Sequence, residues 1–134
     1  MGVSIVRVDR SLRAGPAAPT EARQALKPLS ARVDATSYDD LRLLVTELVT
    51  NSLRHGDLSA GDTIDLGVVV APGCVRVEVH DPGVGFRAGE ARQPEEDTRG
   101  WGLYLLGRIA DRWGVQRGTN GTRDTCVWFE LDLG

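Results

Sequence analysis

Glu47, Asn51 and His55 follow one another at four-residue steps. On a helix, residues four apart are surface neighbours, so these three form a row. At about 100° per residue, Leu41, Leu44, Val45, Leu48 and Ser52 span an apolar face. Arg42, Thr46 and Thr50 lie opposite, Glu47 and Asn51 fall on the border, and His55 falls within the apolar face. A carboxylate, an amide and an imidazole on that border look like groups facing a cleft. The competing account is a solvated Glu with an Asn and a His at a helix end. A second group is Asp81-Pro82-Gly83-Val84-Gly85-Phe86. Period-2 alternation turns Val75, Val77 and Val79 inward, and Asp81 continues that face. A buried carboxylate must be hydrogen-bonded or paired, and glycines just after it let the backbone approach a ligand closely. A plain turn with a surface Asp fits the alternation less well. The third group is Gly100-Trp101-Gly102-Leu103, ahead of an amphipathic stretch. Glycines at a helix N-terminus expose free N–H groups that suit phosphate. Alone this signal is weak, because it matches neither the P-loop nor the dinucleotide fingerprint.

These groups need elements to hold them. Residues 3–8 read as a first, edge strand, and residues 11–19, rich in Ala, Gly and Pro, as a loop. Thr20 can cap a helix running to about Val33, which Pro28 should kink or shorten. Ser37 looks like the cap of a second helix, with Asp39 and Asp40 in its first turn, ending at His55 before Gly56. Ile64, Leu66, Val68 and Val70, then Val75, Val77 and Val79, alternate on either side of Ala71-Pro72-Gly73, which predicts a hairpin with one buried face. Residues 87–99 have almost nothing to bury and read as a solvated loop or a mobile lid. A helix from about Gly102 to Trp113, a short strand at Val115-Gln116 and a final strand from Cys126 to Leu131 complete the chain. The order β-α-α-β-β-α-β-β predicts an α/β two-layer sandwich, a mixed sheet covered on one face by about three helices.

At 134 residues this is one domain spanning 1–134, large enough for a core without staples. With 41% apolar and 26% charged residues it is neither disordered, collagenous nor a disulfide scaffold. A net charge of −3 gives no argument for nucleic acid. Lys27 is the only lysine, a bias that carries no function. Cys74 and Cys126 lack metal-ligand spacing and read as buried reduced thiols. There is no signal-peptide pattern and no membrane-span run, so a cytoplasmic protein is expected.

Together, in this order and spacing, the three groups resemble the motifs of the GHKL ATPases (the Bergerat fold), shared by gyrase B, histidine kinases, heat-shock chaperones and mismatch-repair ATPases. Thr46-Glu47-Leu48-Val49-Thr50-Asn51-Ser52-Leu53-Arg54-His55-Gly56 looks like that family's N box. Asp81-Pro82-Gly83-Val84-Gly85 looks like its first glycine box, and Gly100-Trp101-Gly102-Leu103 like its second. The compact size and the Ala110-Asp111-Arg112-Trp113-Gly114 stretch are most similar to bacterial anti-sigma-factor serine/threonine kinases. The resemblance runs from about Ala18 to Leu131.

By that resemblance Asn51 would ligate Mg²⁺ and Glu47 would be the general base. Asp81 would accept a hydrogen bond from the adenine amino group, Gly83 and Gly85 would shape the adenine pocket, and Thr125 would stand near the adenine. Gly100, Gly102 and Leu103 would meet the phosphates, and His55 closes the N-box row beside the bound ATP. Three positions depart from the pattern. Trp101 stands where a basic residue is common, with Arg99 beside it as a substitute for phosphate contact. Asp124-Thr125 replaces Gly-Thr, and no Lys lies in residues 87–99. The implied activity is Mg-ATP-dependent phosphorylation of a small anti-sigma antagonist protein, controlling a sigma factor. The alternative is a non-catalytic ATP/ADP-binding or partner-binding module of the same fold. A detached histidine-kinase ATPase domain ranks third. The resemblance leaves a homodimer open and implies neither direct nucleic-acid nor membrane binding.

Overall fold

The computed structural model describes residues 4–55, 58–83, 101–117 and 124–133. Among the described residues, five strands and three α-helices follow in the expected order: β1 (Val6–Arg13), α1 (Ala18–Ala25), α2 (Ala35–His55), β2 (Thr63–Ala71), β3 (Cys74–Asp81), α3 (Trp101–Ile109), β4 (Arg112–Arg117) and β5 (Thr125–Asp132). A 3-10 turn, Lys27–Ala31, separates α1 from α2.

The first strand is longer than its apolar alternation suggests. It pairs with β2 from Val6 to Arg13, so the expected loop at residues 11–13 is strand. α1 begins two residues before Thr20, which therefore caps nothing. Ala18, Ala22 and Ala25 form its buried face, and Pro19 sits in the first turn, where its missing N–H costs no helix bond. Pro28 cuts the helix short as expected, and the chain continues as the tighter turn. α2 also starts early, at Ala35. Asp34, not Ser37, caps it: its Oδ2 accepts the Ser37 N–H at 3.0 Å. This leaves Asp39 and Asp40 beyond the first turn.

The hairpin turns at Gly73, whose φ of +82° only glycine adopts without strain. The register then sets Val68 opposite Val77 and Val70 opposite Val75. The expected last helix to Trp113 is instead two elements. α3 stops at Ile109, and β4 starts at Arg112, with Trp113 paired to Phe129 in the sheet. Helical spacing within an apolar stretch hid a strand there.

The strand order is β1-β2-β3-β5-β4, and every pairing is antiparallel. The expected mixed sheet is corrected on this point. β3 and β4, joined through α3, do run the same way, but β5 lies between them.

The core lies between one sheet face and the helices. Ile64, Leu66, Val68, Val75, Val77, Val79 and Phe129 meet Leu41, Leu44, Val45, Leu48 and Val49 of α2 and Leu106 of α3, all essentially without solvent contact. Each such α2 side chain contributes about 1.5–3 kcal/mol, which fixes the roll of that helix. The opposite sheet face carries polar side chains. Arg76 bonds Glu78 and Glu130, and Arg112 bonds Glu130 and Asp132. No helix of the structure is long and apolar enough to cross a membrane, among the described residues.

Candidate nucleotide site

The roll of α2 decides what its polar border presents. With Leu44, Leu48 and Val49 on the sheet, Asn51 and Ser52 follow them into the interior, at 3% and 7% exposure. Glu47 is half-buried, one turn earlier. His55 is the last helical residue.

Asp81 ends β3 on the inward face, as the alternation predicts, at 6% exposure. Its two oxygens are each held. Ser52 Oγ donates to Oδ2 at 2.7 Å, and the Gly83 N–H donates to Oδ1 at 2.9 Å. Burial pushes the Asp81 carboxyl above the ordinary carboxylate range, against the opposing pull of these two hydrogen bonds. Thr125, the first residue of β5, sits opposite Asp81 in the β3–β5 register and is buried. Its Oγ1 donates to the Gly83 carbonyl at 3.3 Å. Ser52, Asp81, Gly83 and Thr125 thus form one hydrogen-bonded cluster linking α2 to two adjacent strand ends. At the ends of β2 and β3 a cleft of about 430 Å³, lined by Thr63, Asp65, His80, Asp81, Pro82 and Asp124, shares Asp81 with this cluster.

Asn51 stands apart from that network. Its amide nitrogen is buried and has no hydrogen-bond partner among the described residues. An orphaned buried donor costs about 1–3 kcal/mol, which packing alone gives no reason to retain. A polar ligand meeting the Asn51 amide removes that cost.

Of the other expected site residues, Gly102 lies in the first turn of α3 and Leu103 is half-buried on the same helix. α3 starts at Trp101, so its first turn, whose N–H groups lack intrahelical partners, includes Gly102 and Leu103. Gly85, Arg99, Gly100 and the 87–99 loop lie outside the described residues. The part of Ser52 went unread in the sequence, although a signal was present. A hydroxyl on the apolar face of a helix needs a buried acceptor, and Asp81 was the buried carboxylate in search of a donor.

A two-layer α/β sandwich thus sets a buried Asp at a strand end and, among the described residues, an Asn with an unpartnered amide nitrogen on the facing helix. The histidine kinase-like ATPase domain model matches residues 12–130, and the chain belongs to that family. A comparison with curated proteins gives no match. Among solved structures, the RsbU and RsbW domains of Rv1364c from Mycobacterium tuberculosis are similar, with a TM-score of 0.72 and 20% identity. The match covers 96% of this chain and 32% of that one, and it shows the shared fold.

Proposed function

We propose that this chain binds ATP at the Asp81–Asn51 site and acts as an anti-sigma-type protein kinase, phosphorylating a Ser or Thr of a small antagonist protein. The observation that carries the reading is the pairing of a buried, oriented Asp81 with a buried, unpartnered Asn51. Each Asp81 oxygen spends one lone pair on Ser52 or Gly83 and keeps another for an incoming donor. The adenine amino group is such a donor. Guanine offers a carbonyl at that position and would set two acceptors against each other. Thr125 and Gly83 brace the same corner, so the base is met by fixed groups.

The Asn51 Oδ1 suits Mg²⁺, a hard cation that takes side-chain carbonyl oxygen together with phosphate oxygens, while the unpartnered Nδ2 is a donor for a phosphate oxygen. When bound, that ion neutralises phosphate charge. Glu47, one turn before Asn51 and half-exposed, is the group placed to take the proton of an incoming hydroxyl. The N-terminus of α3 offers N–H groups to the phosphates. Phosphoryl transfer asks chiefly for positioning and charge neutralisation, so this small set suffices. The anti-sigma setting, with a sigma factor as the controlled partner, rests on the motif resemblance to anti-sigma-factor kinases.

A second reading, a nucleotide-sensing module without transfer, is favoured by one observation. The only lysine, Lys27, lies in the 3-10 turn before α2, leaving Arg as the chain's only other fixed side-chain cation for the phosphates. Recovery of bound proteins from the native host, followed by incubation with labelled Mg-ATP, separates the two. Label on a Ser or Thr of the recovered partner, lost with Glu47→Ala, supports the kinase. Retained ATP binding with no label on any partner supports the module.

A further inference from the structure

The β3–β5 register that pairs Asp81 with Thr125 on the helix side pairs His80 with Cys126 on the open side. Glu78, two residues before His80, shares that open face. His80 Nε2 lies 3.0 Å from Glu78 Oε1 and 3.5 Å from Cys126 Sγ. The three ligand atoms all fall within 4.8 Å of one another. Tetrahedral Zn²⁺, with bonds of about 2.3 Å to sulfur and about 2.0 Å to nitrogen or oxygen, sets edges of about 3.5 Å between S and N and about 3.3 Å between N and O. Two of the three edges are therefore already near the spacing a metal would impose. The third, between Glu78 and Cys126 Sγ, is within 4.8 Å.

We propose that Glu78, His80 and Cys126 form a binding site for a Zn²⁺-class divalent metal on the open sheet face, back to back with the nucleotide site. A mixed thiolate, imidazole and carboxylate set suits Zn²⁺ and Co²⁺ rather than the all-oxygen preference of Mg²⁺ or Ca²⁺. The supporting shell is in place. Arg76 Nε holds Glu78 Oε2 at 3.0 Å, leaving Oε1 directed at His80. Arg76 is itself fixed by Glu130 at 3.1 Å and by stacking 4.4 Å over the Trp128 ring. Such outer partners set ligand orientation and metal affinity. Glu78 and His80 also line an open cleft with Arg7, Asp9, Arg10 and Asp65. Burial pushes the Cys126 thiol up to about 11, so binding displaces a proton from sulfur.

The test titrates the chelator-treated full chain with Co²⁺ and reads the thiolate-to-cobalt charge-transfer band. The proposal expects a 1:1 band, displaced by Zn²⁺, kept in Cys74→Ser and lost in Cys126→Ser. His80→Gln and Glu78→Gln, both at exposed or half-exposed positions, should each weaken Co²⁺ binding at least about tenfold with unchanged metal-free melting. These two variants decide the matter if Cys126→Ser does not fold. Absence of the band at millimolar Co²⁺, a band that survives Cys126→Ser, or full affinity in His80→Gln overturns the proposal. None of these readings depends on ATP binding.

Discussion

Ser52→Ala removes one hydroxyl and leaves a buried carboxylate with a single remaining donor, the Gly83 N–H. The lost bond is 2.7 Å long and joins two side chains that are both more than nine-tenths buried, so water is poorly placed to replace it. A hydrogen bond to a charged group contributes about 1.5–3 kcal/mol. For 134 residues, an unfolding entropy of about 2.1 cal/mol/K per residue gives about 0.28 kcal/mol/K. Ser52→Ala should therefore lower Tm by about 5–10 °C near neutral pH. The Asp81→Asn background supplies the control. There the bond is neutral, contributing about 0.5–1.5 kcal/mol, and Ser52→Ala should cost about 2–5 °C. Thermal melts of the four proteins by circular dichroism, without nucleotide, read both quantities. A loss below about 2 °C in the wild-type background, or equal losses in both, would refute a charge-assisted Ser52–Asp81 bond.

Asn51→Leu should leave Tm unchanged or raised, since an apolar group replaces an unpartnered buried amide, while calorimetry shows Mg-ATP binding lost; a large drop in Tm would mean the amide is structurally required. Glu47→Ala should leave ATP affinity near normal and slow phosphotransfer by roughly 10²–10⁴ in single-turnover assays. Gly114→Ala places a Cβ 2.8 Å from Trp128 Nε1 and 3.0 Å from Cε2, so urea melts should show a loss of about 1–3 kcal/mol. Asp34 is held below the usual carboxylate range by its bonds to Ser37. A lowered folded pKa stabilises above the unfolded value and is lost as pH falls through the folded one, so the Tm deficit of Asp34→Ala should be full at neutral pH and close in acid.

Local patterning carried the element order and the inward turn of Asp81, because alternation and helical spacing are properties of neighbours in the chain. It carried the placement of Glu47 and Asn51 on one helix for the same reason. What escaped depends on partners distant in sequence. The β1 extension to Arg13 is set by β2 across the sheet, against a composition that looks like a loop. The stretch at Trp113 was misread because its apolar residues fit a helix as well as a strand, and only pairing with Phe129 decides. The mixed sheet was the natural expectation from β3-α3-β4 until β5 is placed between those strands. Cys126 and His80, 46 residues apart, carry no ligand spacing, yet the register makes them neighbours. Cys74, expected buried, is only half-buried, while Cys126 is buried and both are free.

On the proposed function, Asp81 selects adenine within a site completed by Asn51. Isothermal calorimetry of Mg-ATP and Mg-GTP, with wild type and Asp81→Asn, tests it most directly. The account predicts that wild type prefers ATP by at least about tenfold, the equivalent of about 1.4 kcal/mol, and that Asp81→Asn loses most of that preference while keeping its fold. Equal affinity of wild type for the two nucleotides, or undiminished ATP preference in Asp81→Asn, would contradict it.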